Sequence, residues 1–447
     1  MSAVRFEPSG PLRGELTPPP DKSISHRAAI VAAMGEGECR VESYLDSHDT
    51  RSTLVAVGGL GADIEEAVAG PGRLDLKIRG VGLRGARFDG ASGIDVGNAG
   101  TLLRVLPGWL AGQGRGAWTL DGDESIRRRP VDRVAQPLRE MGARLECRDE
   151  RLPPLRVEGA ALSGISYELP IASAQVKSCV LLAGLLADGE TRVTEPAPTR
   201  DHTERMLRAA GASLEVESVS SLVTARSPQR RRITVRGTRS IELGSIAIPG
   251  DLSSAAFLIA AALLVHGSDL RIDEVGLNPT RSGFLGIANR MGGLLEVDDE
   301  SAAGNEPRGT VRARHGGLTA TRVGPAEVPL AIDELPLVAL LGCFADGDTV
   351  VTGAQELRHK ESDRIAAVVD GLRGIGAEIE ALPDGFAVTG TGGLRGGALD
   401  TRGDHRMAML GAVAGLASRE GVEVRGFDSV SVSYPRFESE LAQLASG

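Results

Sequence analysis

The chain copies one pattern six times, and that repetition limits its fold more than any single motif does. The copies are "DKSISHRAAIVAAMGEGECRVE" from Asp21, "GNAGTLLRVLPGWLAGQGRGAWTL" from Gly97, "ASAQVKSCVLLAGLLADGETRVTE" from Ala172, "PGDLSSAAFLIAAALLVHGSDLRI" from Pro249, "IDELPLVALLGCFADGDTVVTG" from Ile332 and "RGDHRMAMLGAVAGLASREGVEVRG" from Arg402. Each opens on small or polar residues, runs into an Ala/Leu/Val helix, breaks at glycine and continues as a short alternating strand. Five add a second amphipathic helix with a Gly-containing turn, as in "REMGARLE" and "RGIGAEIE", and the last ends at "FESELAQLASG". The spacing of roughly 75 residues exceeds the usual solenoid period but serves the same end, one supersecondary unit used many times. At 447 residues the chain is too long for one ordinary core. Six α/β copies in two sets of three predict two similar domains, each with parallel helices inside a wrapping of sheet.

Composition narrows the function. Aromatic residues make up 3% of the chain and glycine occurs 59 times, which favours tight turns and small-residue packing over stacking platforms for single-stranded nucleic acid. A net charge of −10 with no basic tail or face speaks against a nucleic-acid partner. The longest apolar run, "AAFLIAAALLV", is about half a membrane span, and "MSAVRFEPSGPLRG" lacks the apolar core of a secretion signal. Cys39, Cys147, Cys179 and Cys343 have no metal-ligand spacing, so they read as reduced thiols of a cytoplasmic protein without zinc.

All six first helices begin with specialised residues: Lys22/Ser23, Asn98–Thr101, Ser173/Ala174/Gln175, Asp251/Ser253/Ser254, Asp333/Glu334 and Asp404/His405/Arg406. Solvated helix starts favour acids, yet Lys22, His26 and Arg27 crowd the positive end of the first. If the starts converge in a cleft between two three-unit halves, their free N–H groups and dipoles favour anions. Further cations recur at matched places: Arg129 in "SIRRRP" before a Pro-started helix "PVDRVAQPLREMGA", Arg200 in "PTRDHTERML", and Lys360 and Arg364 in "LRHKESDRIAAVV". Lys360 and Arg364, four apart, are expected on one helix face. Arginine grips phosphate or carboxylate in a fork and lysine acts as a movable point charge, so the substrates should carry several negative charges. Asp333 and Glu361, beside apolar or cationic neighbours, are candidate proton carriers. Blander readings stand beside these: a lone arginine is a solvated surface group, Asp333 or Asp251 an N-cap, and His26, His202 and His405 hydrogen-bonded core residues. "QRRR" at 229–232 reads as part of a solvated hairpin without chemistry.

"DKSISHR", "GNAGT", "RRRPV", "ASAQVKS", "TRDHTE", "PGDLSSAAF", "IDELP", "RHKESDR" and "DHRMAM" together resemble the marks of the 5-enolpyruvylshikimate-3-phosphate synthase family, in that family's order and across all six copies. The resemblance implies the inside-out α/β barrel of enolpyruvyl transferases, built from six βαβαββ-type units. One domain would combine residues 1–20 with 248–447 and the inserted one would span 21–247, with the active site in the cleft between them. It implies addition of the 5-hydroxyl of shikimate 3-phosphate to phosphoenolpyruvate, then loss of phosphate. By motif match, Lys22, Ser23, Arg27, Ser173, Ala174, Gln175, Arg200, Asp333 and Lys360 would hold shikimate 3-phosphate. Lys22, Gly100, Arg129, Gln175, Arg364 and Arg406 would hold phosphoenolpyruvate. Asp333 would accept the hydroxyl proton, and Glu361, helped by Lys22, would donate to the methylene carbon. No metal, organic cofactor, nucleic acid or membrane is implied, and a cytoplasmic monomer is expected.

Pro20 stands where a glycine is common, and Val432 where one branch carries lysine, so no ligand is assigned there. "SAQVKS" and "TRDHTE" resemble a branch with glyphosate-insensitive members, which carry alanine at the position of Gly100; the glycine here predicts sensitivity. Two rivals differ in what they require. The sister transferase acting on UDP-N-acetylglucosamine typically uses a cysteine acid, and "LAGQGRGAWTLDGDESIRRRP" contains none. A silent repeat scaffold would have let cation and acid positions decay. Because the required cations are split between halves, the empty protein is expected to be open and to close on shikimate 3-phosphate, which small-angle scattering would register as a smaller radius of gyration.

Overall fold

A computed structural model describes residues 3–87, 93–219, 229–303 and 306–446. The chain divides into two compact units. The inserted unit is Pro20–Ile248 with Ala303–Glu306; the discontinuous unit is Met1–Pro19, Pro249–Ala302 and Pro307–Gly447. Each has its own hydrophobic core.

The repeated apolar segments form α1 (Lys22–Met34), α2 (Gly100–Ala111) and α3 (Ala174–Leu186) in the inserted unit. In the discontinuous unit they form α4 (Leu252–Leu264), α5 (Leu335–Phe344) and α6 (His405–Ala417). Ala and Leu are strong helix formers, and a helix apolar on every side must lie inside a core. All of α4 from Leu252 to Leu264 is buried, and α4, α5 and α6 pack on one another. Each central helix is followed by a turn glycine in the left-handed region: Gly37, Gly116, Gly189, Gly267, Gly347 and Gly421, with φ from +75° to +103°. A Cβ would be strained at that turn, so glycine punctuates every copy.

In the inserted unit three four-stranded sheets share one order: a short edge strand parallel to the second, then two antiparallel strands. The middle copy shows it plainly, with Gly93–Asp95, Ala117–Asp121, Leu152–Glu158 and Arg144–Arg148 in that spatial order. The first copy takes its edge strand, Ser245–Ala247, from the far end of the unit. In the discontinuous unit the N-terminal segment does the same work. Arg13–Leu16 runs parallel to Asp269–Gly276 in the fourth copy's sheet, and Ala3–Phe6 pairs antiparallel with Val422–Arg425 in the sixth. The sixth sheet has three strands, and helix Phe437–Ala445 closes its copy. An unpaired edge exposes N–H and C=O groups, so borrowed strands explain why both chain ends belong to one unit.

One expectation needs adjustment. The helix after Arg129 begins at Asp132 rather than at the proline and runs to Glu140, with Asp132 at the positive end of its dipole. The hairpin around "QRRR" has its flanks, since Leu214–Val219 and Arg230–Arg236 pair antiparallel, while its tip at 220–228 lies outside the described residues. Among the described residues no helix is long and apolar enough to cross a membrane.

Candidate active site

In the inserted unit the cations gather at the starts of α1, α2 and α3. Asp21 caps α1 by accepting from Ile24 N at 2.8 Å, so the following residues are spared that task. Lys22 Nζ lies 3.0 Å from Asp49 Oδ2. Arg27 is buried one turn further on. Its Nε donates to Thr203 Oγ1 at 2.9 Å, Nη1 to the Ser23 carbonyl at 3.0 Å and Nη2 to Ser178 Oγ at 3.2 Å. Burial, then the charge of Arg200, lowers the Arg27 pKa to about 10, so it stays protonated at neutral pH. Burial also holds the His26 imidazole well below its usual range, with Lys22 and Arg27 adding to the effect. It is therefore a neutral core histidine, with Nδ1 on Thr53 Oγ1 at 2.6 Å. Arg200 Nη1 reaches Ser23 Oγ at 3.4 Å.

The starts of α2 and α3 are stitched together. Arg104 Nη1 donates to Gln175 Oε1 at 3.1 Å, and Gln175 Nε2 donates to Thr101 Oγ1 at 3.1 Å. Ser173 caps α3 through Val176 N at 3.4 Å, and the Ala174 carbonyl accepts from Ser178 Oγ at 2.7 Å. Arg129 Nη2 donates to Asn98 Oδ1 at 2.8 Å and Ser125 Oγ at 3.0 Å. A Cβ on Gly100 would lie 2.8 Å from Arg129 Nη1 and 3.3 Å from Arg104 Nη1, so this glycine leaves room for two guanidinium groups.

In the discontinuous unit each helix start carries a buried acid: Asp251 and Asp404 cap α4 and α6 through Ser253 N and Arg406 N, and Glu334 precedes α5. Asp333 is the hub. Its Oδ1 accepts from Arg364 Nη1 at 3.0 Å and Lys360 Nζ at 3.2 Å, while Arg281 Nη1 and Arg406 Nη2 each lie 3.7 Å from Oδ2. Arg364 also donates through Nε to Asp404 Oδ2 at 2.8 Å and pairs with Glu361. Burial opposes the Arg364 charge, but Asp404, Glu361 and Asp333 outweigh it and push its pKa above the ordinary value. Burial likewise works to raise the Asp404 pKa; Arg364 prevails and the carboxyl titrates below its usual range. Arg406 and Glu334 meet through Ser253 Oγ. Arg281 adds Glu334 Oε1 at 3.3 Å and Asp251 Oδ1 at 3.4 Å.

The inserted unit thus brings together Lys22, Ser23, Arg27 and Arg200, and separately Gly100, Arg129 and Gln175. The discontinuous unit brings together Asp333, Lys360, Glu361, Arg364 and Arg406. One expectation was wrong in its geometry: Lys360 and Arg364 do not share a helix face. Asp363 accepts from Ala366 N at 3.1 Å and caps a helix that starts at Arg364, while Lys360 is in extended backbone before it. Their meeting at Asp333 is a product of the loop. Asp251 is an N-cap, as the blander reading held, and Asp333 is not. Sequence reasoning missed Arg104, Asp49 and Arg281. The signal for Arg281 was present, because "PTR" occurs both at 198–200 and at 279–281 in consecutive copies. Among the described residues no group of three or more His, Cys, Asp or Glu side chains is placed to hold a metal ion.

A solved enolpyruvyl transferase, NikO from Streptomyces tendae, superposes with a TM-score of 0.75 at 17% identity, covering 99% of this chain and 97% of that one. The chain therefore has the enolpyruvyl transferase fold, the inside-out α/β barrel built from six copies of a βαβαββ-type unit, the sixth with a three-stranded sheet. The EPSP synthase (3-phosphoshikimate 1-carboxyvinyltransferase) family model matches residues 6–441. A 3-phosphoshikimate 1-carboxyvinyltransferase of Thermus thermophilus is 46% identical over 446 residues, 99% of either chain. The EPSP synthase structure from Acinetobacter baumannii matches with a TM-score of 0.83 at 39% identity, covering 100% of this chain and 98% of that one. The chain belongs to the EPSP synthase family.

Proposed function

We propose that the chain transfers the enolpyruvyl group of phosphoenolpyruvate to the 5-hydroxyl of shikimate 3-phosphate and releases phosphate, a step of aromatic amino-acid biosynthesis. The carrying observation is the group around Arg364: a buried carboxylate, Asp333, bonded by two cations, with a second carboxylate, Glu361, on the same guanidinium. Two acids held apart by one cation suit a reaction that removes one proton while delivering another. Asp333 takes the proton of the 5-hydroxyl as its oxygen bonds to C2 of phosphoenolpyruvate. Glu361, helped by Lys22, protonates C3, which becomes a methyl group. The tetrahedral adduct then loses phosphate and a methyl proton, and the double bond re-forms as an enolpyruvyl ether.

Each substrate carries a phosphate and a carboxylate, which fits the density of cations. In this reading Lys22, Ser23, Arg27, Ser173, Ala174, Gln175 and Arg200, with Asp333 and Lys360, hold shikimate 3-phosphate. Lys22, Gly100, Arg129, Gln175, Arg364 and Arg406 hold phosphoenolpyruvate. The reaction needs no metal or organic cofactor, and the reading includes a monomer in the cytoplasm, a reducing compartment that suits four free cysteines. Mixing the two substrates with the protein should release phosphate, and Asp333→Asn and Glu361→Gln should each lower kcat by about a hundredfold or more. No release from folded protein, or full activity of Asp333→Asn, would overturn the assignment.

A further inference from the structure

Behind the inserted unit's cations lies a buried ion cluster that the reaction does not use. Lys177, in the apolar body of α3, is fully buried, and its Nζ lies 2.9 Å from Glu195 Oε2 and 2.7 Å from Glu204 Oε1. It also donates to the Thr199 carbonyl at 3.3 Å. Glu195 Oε2 accepts twice from the same residue, from Thr199 N at 3.1 Å and Thr199 Oγ1 at 2.7 Å. Burial opposes the charge on Lys177, but Glu204 and Glu195 outweigh it and raise its pKa, so it is an ammonium. A buried ion pair contributes little net stability compared with apolar packing of similar volume, so its presence asks for another reason.

The molecule contains its own control. The "PTR" turn at 279–281 repeats the one at 198–200, and there Thr280 N and Oγ1 donate to Asn278 Oδ1 at 2.9 and 2.7 Å. Both of these bonds stay within the turn, on a neighbouring asparagine. In the inserted unit the corresponding bonds go to Glu195, and Glu195 is bonded in turn to a lysine of α3. What the Lys177–Glu195 pair adds is a link between the turn and that helix. The turn carries Arg200, and α3 begins with Ser173, Ala174 and Gln175.

We propose that Lys177 is a positioning residue: through Glu195 and Thr199 it fixes the Arg200 turn to α3, so that Arg200 and the start of α3 grip shikimate 3-phosphate as one rigid piece. The proposal rests on the substrate reading above. Calorimetric titration with shikimate 3-phosphate tests it. Lys177→Met should weaken binding by about tenfold, while the KM for phosphoenolpyruvate at saturating shikimate 3-phosphate stays within about twofold. Lys177→Arg should restore most of the affinity. Thr199→Val, which removes one hydroxyl and leaves the ion pair in place, should weaken binding by about threefold. In an Arg200→Gln background, Lys177→Met should add almost nothing, because its effect passes through Arg200. An undiminished effect in that background, or equal loss of both substrates, overturns the proposal. If Lys177→Met does not fold, unchanged affinity in Thr199→Val overturns it. Unchanged affinity in Arg200→Gln alone overturns the substrate reading, and this proposal with it.

Discussion

Arg27 and Arg364 are 3% and 1% exposed, and both belong to a helix near its start, yet their surroundings are opposite. Arg27, in the inserted unit, bonds to two hydroxyls and a carbonyl, and burial and Arg200 lower its pKa. Arg364, in the discontinuous unit, is shared by three carboxylates that raise its pKa. The difference separates two kinds of positive site. Around Arg27 the bonded partners are dipoles, and the more distant charges of Glu204, Asp21 and Glu306 do not outweigh burial and Arg200, so the site favours added negative charge from a ligand. Around Arg364 the charges are balanced internally, and the guanidinium holds Asp333 and Glu361 in set positions, which the proposed proton transfers would use.

The comparison breaks most easily at Arg364. Arg364→Met should leave Asp333, Asp404 and Glu361 without their common partner and lower unfolding free energy by about 3–5 kcal/mol in a urea titration. A loss below about 1 kcal/mol would mean that the acids find other partners and that the unit is not balanced as described. Arg27→Met should do the reverse. Shikimate 3-phosphate affinity should fall by about a hundredfold, while urea stability of the empty protein stays within about 1 kcal/mol or rises, because a poorly compensated buried charge is removed. Equal destabilisation by both substitutions would erase the distinction.

Gly100→Ala sharpens the comparison with a smaller effect. The added methyl group displaces the Arg129 guanidinium, 2.8 Å from the new Cβ, without touching Arg27. The KM for phosphoenolpyruvate should rise by about fivefold with shikimate 3-phosphate affinity unchanged, and inhibition by glyphosate should weaken more than that. Parallel loss of both substrates would show that the Arg129 and Arg27 groups are one site energetically.

Much of the fold was legible because its determinants are local. The apolar helices, the turn glycines and the alternating strands each act over a few residues and repeat. The candidate residues were legible where they interrupt that pattern at helix starts. Lys177 was hidden for a different reason, although a single lysine inside "QVKSCVLLAGLL" signals a buried partner. Neither Glu195 nor Glu204 looks different from a surface acid in the sequence. The Lys360 error has a local cause: the four-residue spacing suggested one face, but Asp363 starts the helix after Lys360.

The sequence by itself determined six copies of a helix–strand unit, with cations and acids at matched ends. Tertiary structure decided which charges are neutralised, because that depends on distance in space rather than along the chain. Arg364 and Asp333 are 31 residues apart and Arg27 and Thr203 are 176 apart, and nothing in either separation says that one partner is a carboxylate and the other a hydroxyl. The strands at the chain's beginning are a second case. Whether Ala3–Phe6 completes the sixth sheet is settled by which edge would otherwise be left with unpaired backbone groups, and only the assembled unit has that edge.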